Sequence, residues 1–217
     1  MTVLADSVEI DLGPLRLKGL LGVPPDATAL VIFAHGSGSS RLSPRNNRVA
    51  AALRDDGLAT LLLDLLTPEE ENDRANVFDI ALLASRLSYA TDWAIAAPDT
   101  AHLPIGYFGA STGAAAALVA AGVPRSPVKA IVSRGGRPDL AGDILPQVVA
   151  PTLLIVGSLD HHVIELNRMA YERLTGPKEL VIVEGAGHLF EEPGTLAEVE
   201  RHATRWFRYH LAGEGGT

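Results

Sequence analysis

Apolar and polar positions alternate at the start of the chain. Val8, Ile10 and Leu12 share one side of an extended segment, Gly13-Pro14 turns it, and Leu15, Leu17, Gly19 and Leu21 alternate again up to Pro24-Pro25. A period of two bounded by turn residues predicts an antiparallel hairpin at a sheet edge. The pattern then changes. Ala29 to Ala34 (A-L-V-I-F-A) and Leu58 to Leu63 are almost unbroken apolar runs, as parallel strands covered on both faces require. Ile105 to Phe108, Val128 to Val132, Pro151 to Val156 and Glu179 to Val183 supply further strands.

Between these runs the apolar spacing lengthens to three and four. Ser43-Pro44 reads as an N-cap and first helical position, with Val49, Ala52 and Leu53 on one face and Gly57 as the stop. Val77 to Ala97 keeps helical spacing through Ile80, Leu83, Leu87, Ala90 and Ile95, and an alanine-rich helix runs from Ser111 to Gly122. Val163 to Leu174 and the amphipathic Thr195 to Leu211, with Trp206 and Phe207, complete the helices, whereas Thr67 to Glu71 and its polar continuation read as a solvated loop. Strands and helices alternate without an internal repeat or a break in composition. The expected fold is α/β: a doubly wound, mostly parallel sheet with an antiparallel N-terminal hairpin, in a single domain spanning 1–217.

Charge narrows the partners. With 18 basic and 26 acidic side chains the formal net charge is −8, the wrong sign for a general binder of nucleic acid or of an anionic membrane surface. A small-molecule partner is expected instead. The chain has no cysteine, which removes disulfides, thiolate metal sites and a cysteine nucleophile together. Met1 to Asp11 carries Asp6, Glu9 and Asp11 and lacks the basic and apolar segments of a signal peptide. No apolar run reaches the length of a membrane span, so a cytoplasmic location is the default. Neither H-E-x-x-H nor H-x-x-H spacing occurs, and the glycine loop at 36–38 lacks the G-K-[ST] ending of a phosphate loop. No metal and no cofactor is expected.

The candidate chemistry begins at Gly109-Ala110-Ser111-Thr112-Gly113, where a strand turns sharply into a helix. A serine there takes a strained backbone position with its hydroxyl standing clear, and glycines two before and two after it remove the Cβ atoms that would collide. Ser111 is the candidate nucleophile. In a doubly wound sheet the functional groups gather at the carboxyl ends of the parallel strands. One such end carries His35-Gly36-Ser37-Gly38-Ser39-Ser40, another Gly157-Ser158-Leu159-Asp160, and a third Glu184-Gly185-Ala186-Gly187-His188. The order Ser111, Asp160, His188 accompanies this serine turn in one large class of enzymes. Asp160 has a second reading as the cap of the following helix, beside His161 and His162. His188 is the histidine that follows a strand in a glycine-bordered loop.

These four motifs, H-G-S-G-S at 35–39, G-A-S-T-G at 109–113, G-S-L-D at 157–160 and G-A-G-H at 185–188, resemble those of the α/β-hydrolases, most closely the small members grouped with dienelactone hydrolases. The resemblance covers essentially the whole chain. It implies that Ser111 attacks an acyl carbonyl, that His188 takes the serine proton and that Asp160 orients His188. It further implies an oxyanion held by the backbone N–H groups of Thr112 and Ser37, with Gly38 as an alternative to Ser37. Dienelactone hydrolases typically carry cysteine where this chain has Ser111.

Ser133 to Ala150 is too short for the helical cap that many α/β-hydrolases insert there. An open, uncapped cleft for small or flexible esters is expected. Arg41, Arg45, Arg134 and Arg137 fall in or near loops at strand ends. Dienelactone hydrolases use arginines to hold a substrate carboxylate, and the resemblance makes Arg41 and Arg134, with Gly36 and Gly38, candidate substrate-binding residues. Arg137 with Asp139 reads equally as a surface ion pair, and Arg45 as an ordinary first-turn residue. The expected activity is a serine hydrolase of carboxylic esters with small or short-chain acyl or aryl groups. A lactone or dienelactone hydrolase and a non-catalytic ligand-binding homologue are the alternatives. Monomer and homodimer both remain open, because Trp206, Phe207 and Tyr209 suit either a core or a dimer face.

Overall fold

A computed structural model describes residues 7–211. Residues 1–6, which hold half of the stretch considered for a leader, and residues 212–217 lie outside the described residues. The chain opens with strands β1 (Val8–Leu12), β2 (Leu17–Gly22) and β3 (Leu30–Ala34), followed by helix α1 (Pro44–Asp55) and β4 (Ala59–Leu63). Short helices α2 (Pro68–Glu71) and α3 (Arg74–Val77) precede the long α4 (Ile80–Ala96). Then come β5 (Ile105–Ala110), α5 (Thr112–Ala121), β6 (Val128–Arg134) and β7 (Thr152–Gly157), and finally α6 (His161–Arg173), β8 (Lys178–Val183) and α7 (Thr195–Leu211).

The eight strands form one sheet in the order β1-β2-β4-β3-β5-β6-β7-β8. β1 pairs antiparallel with β2 and β2 antiparallel with β4, while every pairing from β4 through β8 is parallel. This is the α/β-hydrolase fold expected from the sequence, with its antiparallel hairpin at one edge.

Although β3 is apolar throughout, its side chains still divide with a period of two. Leu30, Ile32 and Ala34 enter the core under α4 and α5, and Val31 and Phe33 enter the core under α1 and α7. β5 repeats the division, with Ile105 and Tyr107 on one side and Phe108 on the other. Phe33 and Phe108 meet across the strands with ring centroids 4.8 Å apart. Burying each large apolar side chain contributes about 1.5–3 kcal/mol, so the central strands form the rigid floor on which the loops are mounted.

Helix α5 lies deepest. Ala114, Ala115, Ala116 and Ala117 are fully buried, because methyl groups on every face let the helix pack closely against both the sheet and α4. Where the sequence predicted a continuous solvated loop, α2 and α3 form instead. Thr67 accepts from the Glu70 N–H while the Glu70 carboxylate accepts from the Thr67 N–H, a reciprocal capping box that stabilises a single turn. Asp79 then caps α4 by accepting from the Leu82 N–H, and the long helix starts at Ile80 rather than Val77. Leu15, assigned from alternation to the second arm of the hairpin, sits in the turn, where it is exposed. Between β6 and β7 the chain makes 3-10 turns over Pro138–Gln147 and no cap. No helix among the described residues is long and apolar enough to cross a membrane.

Candidate active site

The carboxyl end of β5 delivers Ser111 in a left-handed conformation, φ 51° and ψ −122°. Such a conformation is costly for a residue with a Cβ and persists only where its surroundings enforce it. The Ser111 carbonyl accepts from the Ala114 N–H at 3.1 Å and from the Arg137 N–H at 3.0 Å, which pins the turn from two sides. A Cβ on Gly109 would stand 2.4 Å from the Ala114 Cα, and one on Gly113 would stand 2.2 Å from the Ala34 carbonyl oxygen. Both flanking glycines are therefore required by close approach of backbone to backbone. The Ser111 side chain makes no capping hydrogen bond to α5 and is partly exposed.

The loop after β3 passes directly beside this serine. A Cβ on Gly36 would fall 2.8 Å from the Ser111 Cβ. Buried His35 anchors the loop: its Nε2 accepts from the Leu65 N–H at 3.0 Å, so Nδ1 carries the proton and donates to the Gly36 carbonyl at 2.9 Å. Burial holds the His35 pKa below the usual imidazole value and keeps the ring neutral. The next residue, Ser37, donates its N–H to Thr112 Oγ1 at 3.0 Å, tying the loop to the first residue of α5.

His188, in the loop after β8, stands with Nδ1 2.6 Å from Asp160 Oδ2. Asp160 occupies the N-cap position of α6, yet its side chain makes no capping hydrogen bond. Its carboxylate is directed at His188 instead. His161 and His162 are exposed beside it. With Nδ1–H given to a carboxylate, Nε2 of His188 is left as an acceptor. Ser111 and His188 line one cavity of about 490 Å³, together with Ser37, Asn46, Arg134 and Leu189. Gly36 and Gly38 belong to the same wall. A second cavity of about 400 Å³, lined by Leu66, Glu71, Val77 and Leu83, shares the 36–40 loop with the first.

The arginines part company. Arg134, at the end of β6, is buried in the wall of the Ser111 cavity. Its Nη2 donates to Asn46 Oδ1 at 3.2 Å, its Nε has no partner among the described residues, and its guanidinium carbon lies 5.9 Å from the centre of the Phe190 ring. Burial, and secondarily the charge of Arg45, pull its pKa down to about 10. Arg41 is committed elsewhere: it binds Asp64 at 2.6 Å and Glu9 at 3.2 Å and does not line the cavity. Arg137 pairs with Asp139 through two hydrogen bonds of 2.9 and 2.8 Å. Arg45 lines the cavity but pairs with Glu191 at 2.7 Å. Asn46 was missed by sequence reasoning, since one of two adjacent asparagines in a first helical turn gives no sign that it faces a strand end 88 residues away. Among the described residues no three histidine or carboxylate side chains converge as a metal site requires.

No family model matches the chain. Two proteins of Mycobacterium tuberculosis, from strains CDC 1551 and H37Rv, are 60% identical over 210 residues and carry a provisional name, phosphoribosyl transferase. The alignment takes in 97% of this chain but only 47% of each of those proteins, so the chain spans about half the length of the curated relatives it matches. A crystal structure of a dienelactone hydrolase from Anabaena variabilis is 57% identical, covers 94% of this chain and 97% of its own, and superposes with a TM-score of 0.90. Est1E from Butyrivibrio proteoclasticus, 18% identical, covers 96% of this chain and 100% of its own with a TM-score of 0.79, a likeness of fold.

Proposed function

The chain belongs to the α/β-hydrolases, in their uncapped dienelactone hydrolase-like group, and from that premise we propose that it is a serine hydrolase of small carboxylic esters with Ser111 as nucleophile. The observation that carries the reading is the pairing of a strained, partly exposed Ser111 with a His188 that shares its cavity and is bonded through Nδ1 to Asp160.

In this reading the Ser111 Oγ forms a bond to the substrate carbonyl carbon as its proton passes to His188 Nε2, and the carbonyl π electrons move onto oxygen. Asp160 stabilises the resulting imidazolium without taking its proton. The oxyanion sits at the N-terminus of α5, where the Thr112 N–H has no intrahelical acceptor and the helix dipole favours negative charge. The loop after β3, from which the resemblance expects a second donor, stands opposite with its Ser37 N–H on Thr112 Oγ1 at 3.0 Å. Collapse of the intermediate breaks the bond to the leaving oxygen, which takes the proton from His188. Water, deprotonated by the same ring, then releases the acid and restores the serine.

Arg134 supports a substrate carrying its own carboxylate. A buried guanidinium whose Nε lacks a partner gains most when an anion enters beside it. That favours a carboxylate-bearing ester or lactone, and the name of the Anabaena relative points the same way. Arg41, already bound by two carboxylates, is left out of this role. The phosphoribosyl transferase name belongs to longer proteins of which this chain matches about half. The proposal assigns acyl chemistry, and not that activity, to the Ser111 cavity.

Treatment with a fluorophosphonate probe, followed by peptide mass mapping, tests the proposal without a guess at substrate. One adduct on the Ser111 peptide, absent in Ser111→Ala and slowed in His188→Ala, is expected. A folded protein that takes no adduct would instead be a binding homologue.

A further inference from the structure

The Ser37 amide is the natural second donor to the oxyanion, yet it is already spent on Thr112 Oγ1 at 3.0 Å. Thr112 is buried at the start of α5, directly after the nucleophile. Its hydroxyl accepts the Ser37 N–H and retains one proton of its own to donate. The close seating of α5 against the carboxyl end of β3, where Gly113 leaves no room for a Cβ, holds loop and helix at a fixed separation. The hydroxyl thereby links the 36–40 loop to the first residue of α5, next in the chain to Ser111.

We propose that the Thr112 hydroxyl is itself an oxyanion donor, and that the Ser37 amide acts through it as a positioning and polarising group. The inference rests on the Ser111 reading above. Thr112 then gives two hydrogen bonds to the same oxygen, one from its N–H and one from its O–H. An N–H donated to a hydroxyl strengthens the bond that hydroxyl donates onward. No proton changes hands in this step: the oxyanion forms as Ser111 Oγ bonds to carbon, is held by the two donors, and returns its electrons to the carbonyl when the leaving group departs. A residue without a hydroxyl at this position would free the Ser37 amide, and direct donation by that amide is the alternative that the experiment must separate.

The experiment compares wild type, Thr112→Val and Thr112→Ser on one ester, and measures inhibition by an alkyl trifluoromethyl ketone, whose serine adduct carries an oxyanion. Loss of an oxyanion donor costs about 10²–10³ in turnover. The expected result is a fall in kcat of about 10² for Thr112→Val with KM and the pH profile unchanged, and a parallel loss of ketone affinity. Thr112→Ser, which keeps the hydroxyl, retains wild-type kcat. A Thr112→Val enzyme with wild-type kcat overturns the proposal, since Ser37 would then be the direct donor. So does a loss of kcat without a loss of ketone affinity, which marks a structural role. Should the valine variant not fold, Thr112→Ala gives the same comparison. Turnover that survives in Ser111→Ala would overturn the serine reading itself, whatever the Thr112 variants do.

Discussion

Arg134 Nη2 donates to Asn46 Oδ1 at 3.2 Å, so a buried cation in the wall of the Ser111 cavity is met by a neutral amide. The partner orients the guanidinium without cancelling its charge. Replacing Arg134 with glutamine is expected to lower kcat/KM for carboxylate-bearing esters by about 10- to 100-fold relative to neutral esters, the effect of losing a charged hydrogen bond of about 1.5–3 kcal/mol. Rates on matched neutral and acidic esters check it. An unchanged preference would remove Arg134 from substrate binding. Arg41→Gln serves as the contrast and should leave the preference intact, because its charge is held by Asp64 and Glu9.

Asp160→Asn should retain the fold and lose most of the chemistry. The amide cannot fix the imidazole with Nε2 as acceptor, and kcat is expected to fall by about 10⁴. Fluorophosphonate labelling of Ser111 should slow in parallel. Labelling at the wild-type rate would return Asp160 to the part of a helix cap.

His35 ties acid stability to the 36–40 loop beside Ser111. Its folded pKa is depressed by burial, whereas in the unfolded chain it titrates near 6.5. Below that value the unfolded state binds a proton that the folded state resists, so the His35 contribution is complete above pH 6.5. It declines as pH falls from there toward the folded pKa. His202 and His210 are shifted in the same direction by burial, and the His35 share is therefore read by difference. Glutamine can donate to the Gly36 carbonyl and accept from the Leu65 N–H without titrating. His35→Gln is expected to show a shallower fall of Tm between pH 6.5 and 5 than wild type. Equal slopes would mean that the ring is not held neutral.

Ala116→Leu tests the packing beneath Ser111. The site is fully buried against the core under α4, and overpacking of this kind costs about 1–3 kcal/mol or more. Tm should drop by about 2–4 °C per kcal/mol, with a loss of Ser111 labelling as α5 is displaced. A stable and fully reactive variant would show that the helix has room to spare.

How much of this was legible in the chain depends on the range of the interaction. The parallel strands, the hairpin and the strand-end positions of Ser111, Asp160 and His188 were readable because each rests on a local pattern: an apolar run, a period of two, a residue at a strand end. Asp160 could be read as a cap or as a partner of His188, and only the third dimension separates the two, since the carboxylate has to choose between the α6 amides and a ring 28 residues away. Arg41 and Arg134 looked alike in sequence. One is met by Asp64 at the end of β4 and the other by no carboxylate among the described residues, and which loops face each other is set by the strand order rather than by either residue's neighbours. The α2 turn was hidden for a different reason, because its three glutamates suggest solvent while the Thr67 and Glu70 capping box stabilises a turn.

The run of buried alanines from Ala114 to Ala117 in α5 has a further consequence for how the site can change. Alanine has no χ angles, so Ala114 to Ala117 give up no rotamer freedom on folding and have none to spend on readjustment. A leucine-rich helix could absorb a substitution by repacking; this one can only move as a rod, and Ser111 moves with it. Residues 114–117 thus act as a ruler between the sheet and Ser111, judged by volume alone. Variation aimed at new substrates is confined to the strand-end loops, whose side chains can be exchanged without altering where the serine stands.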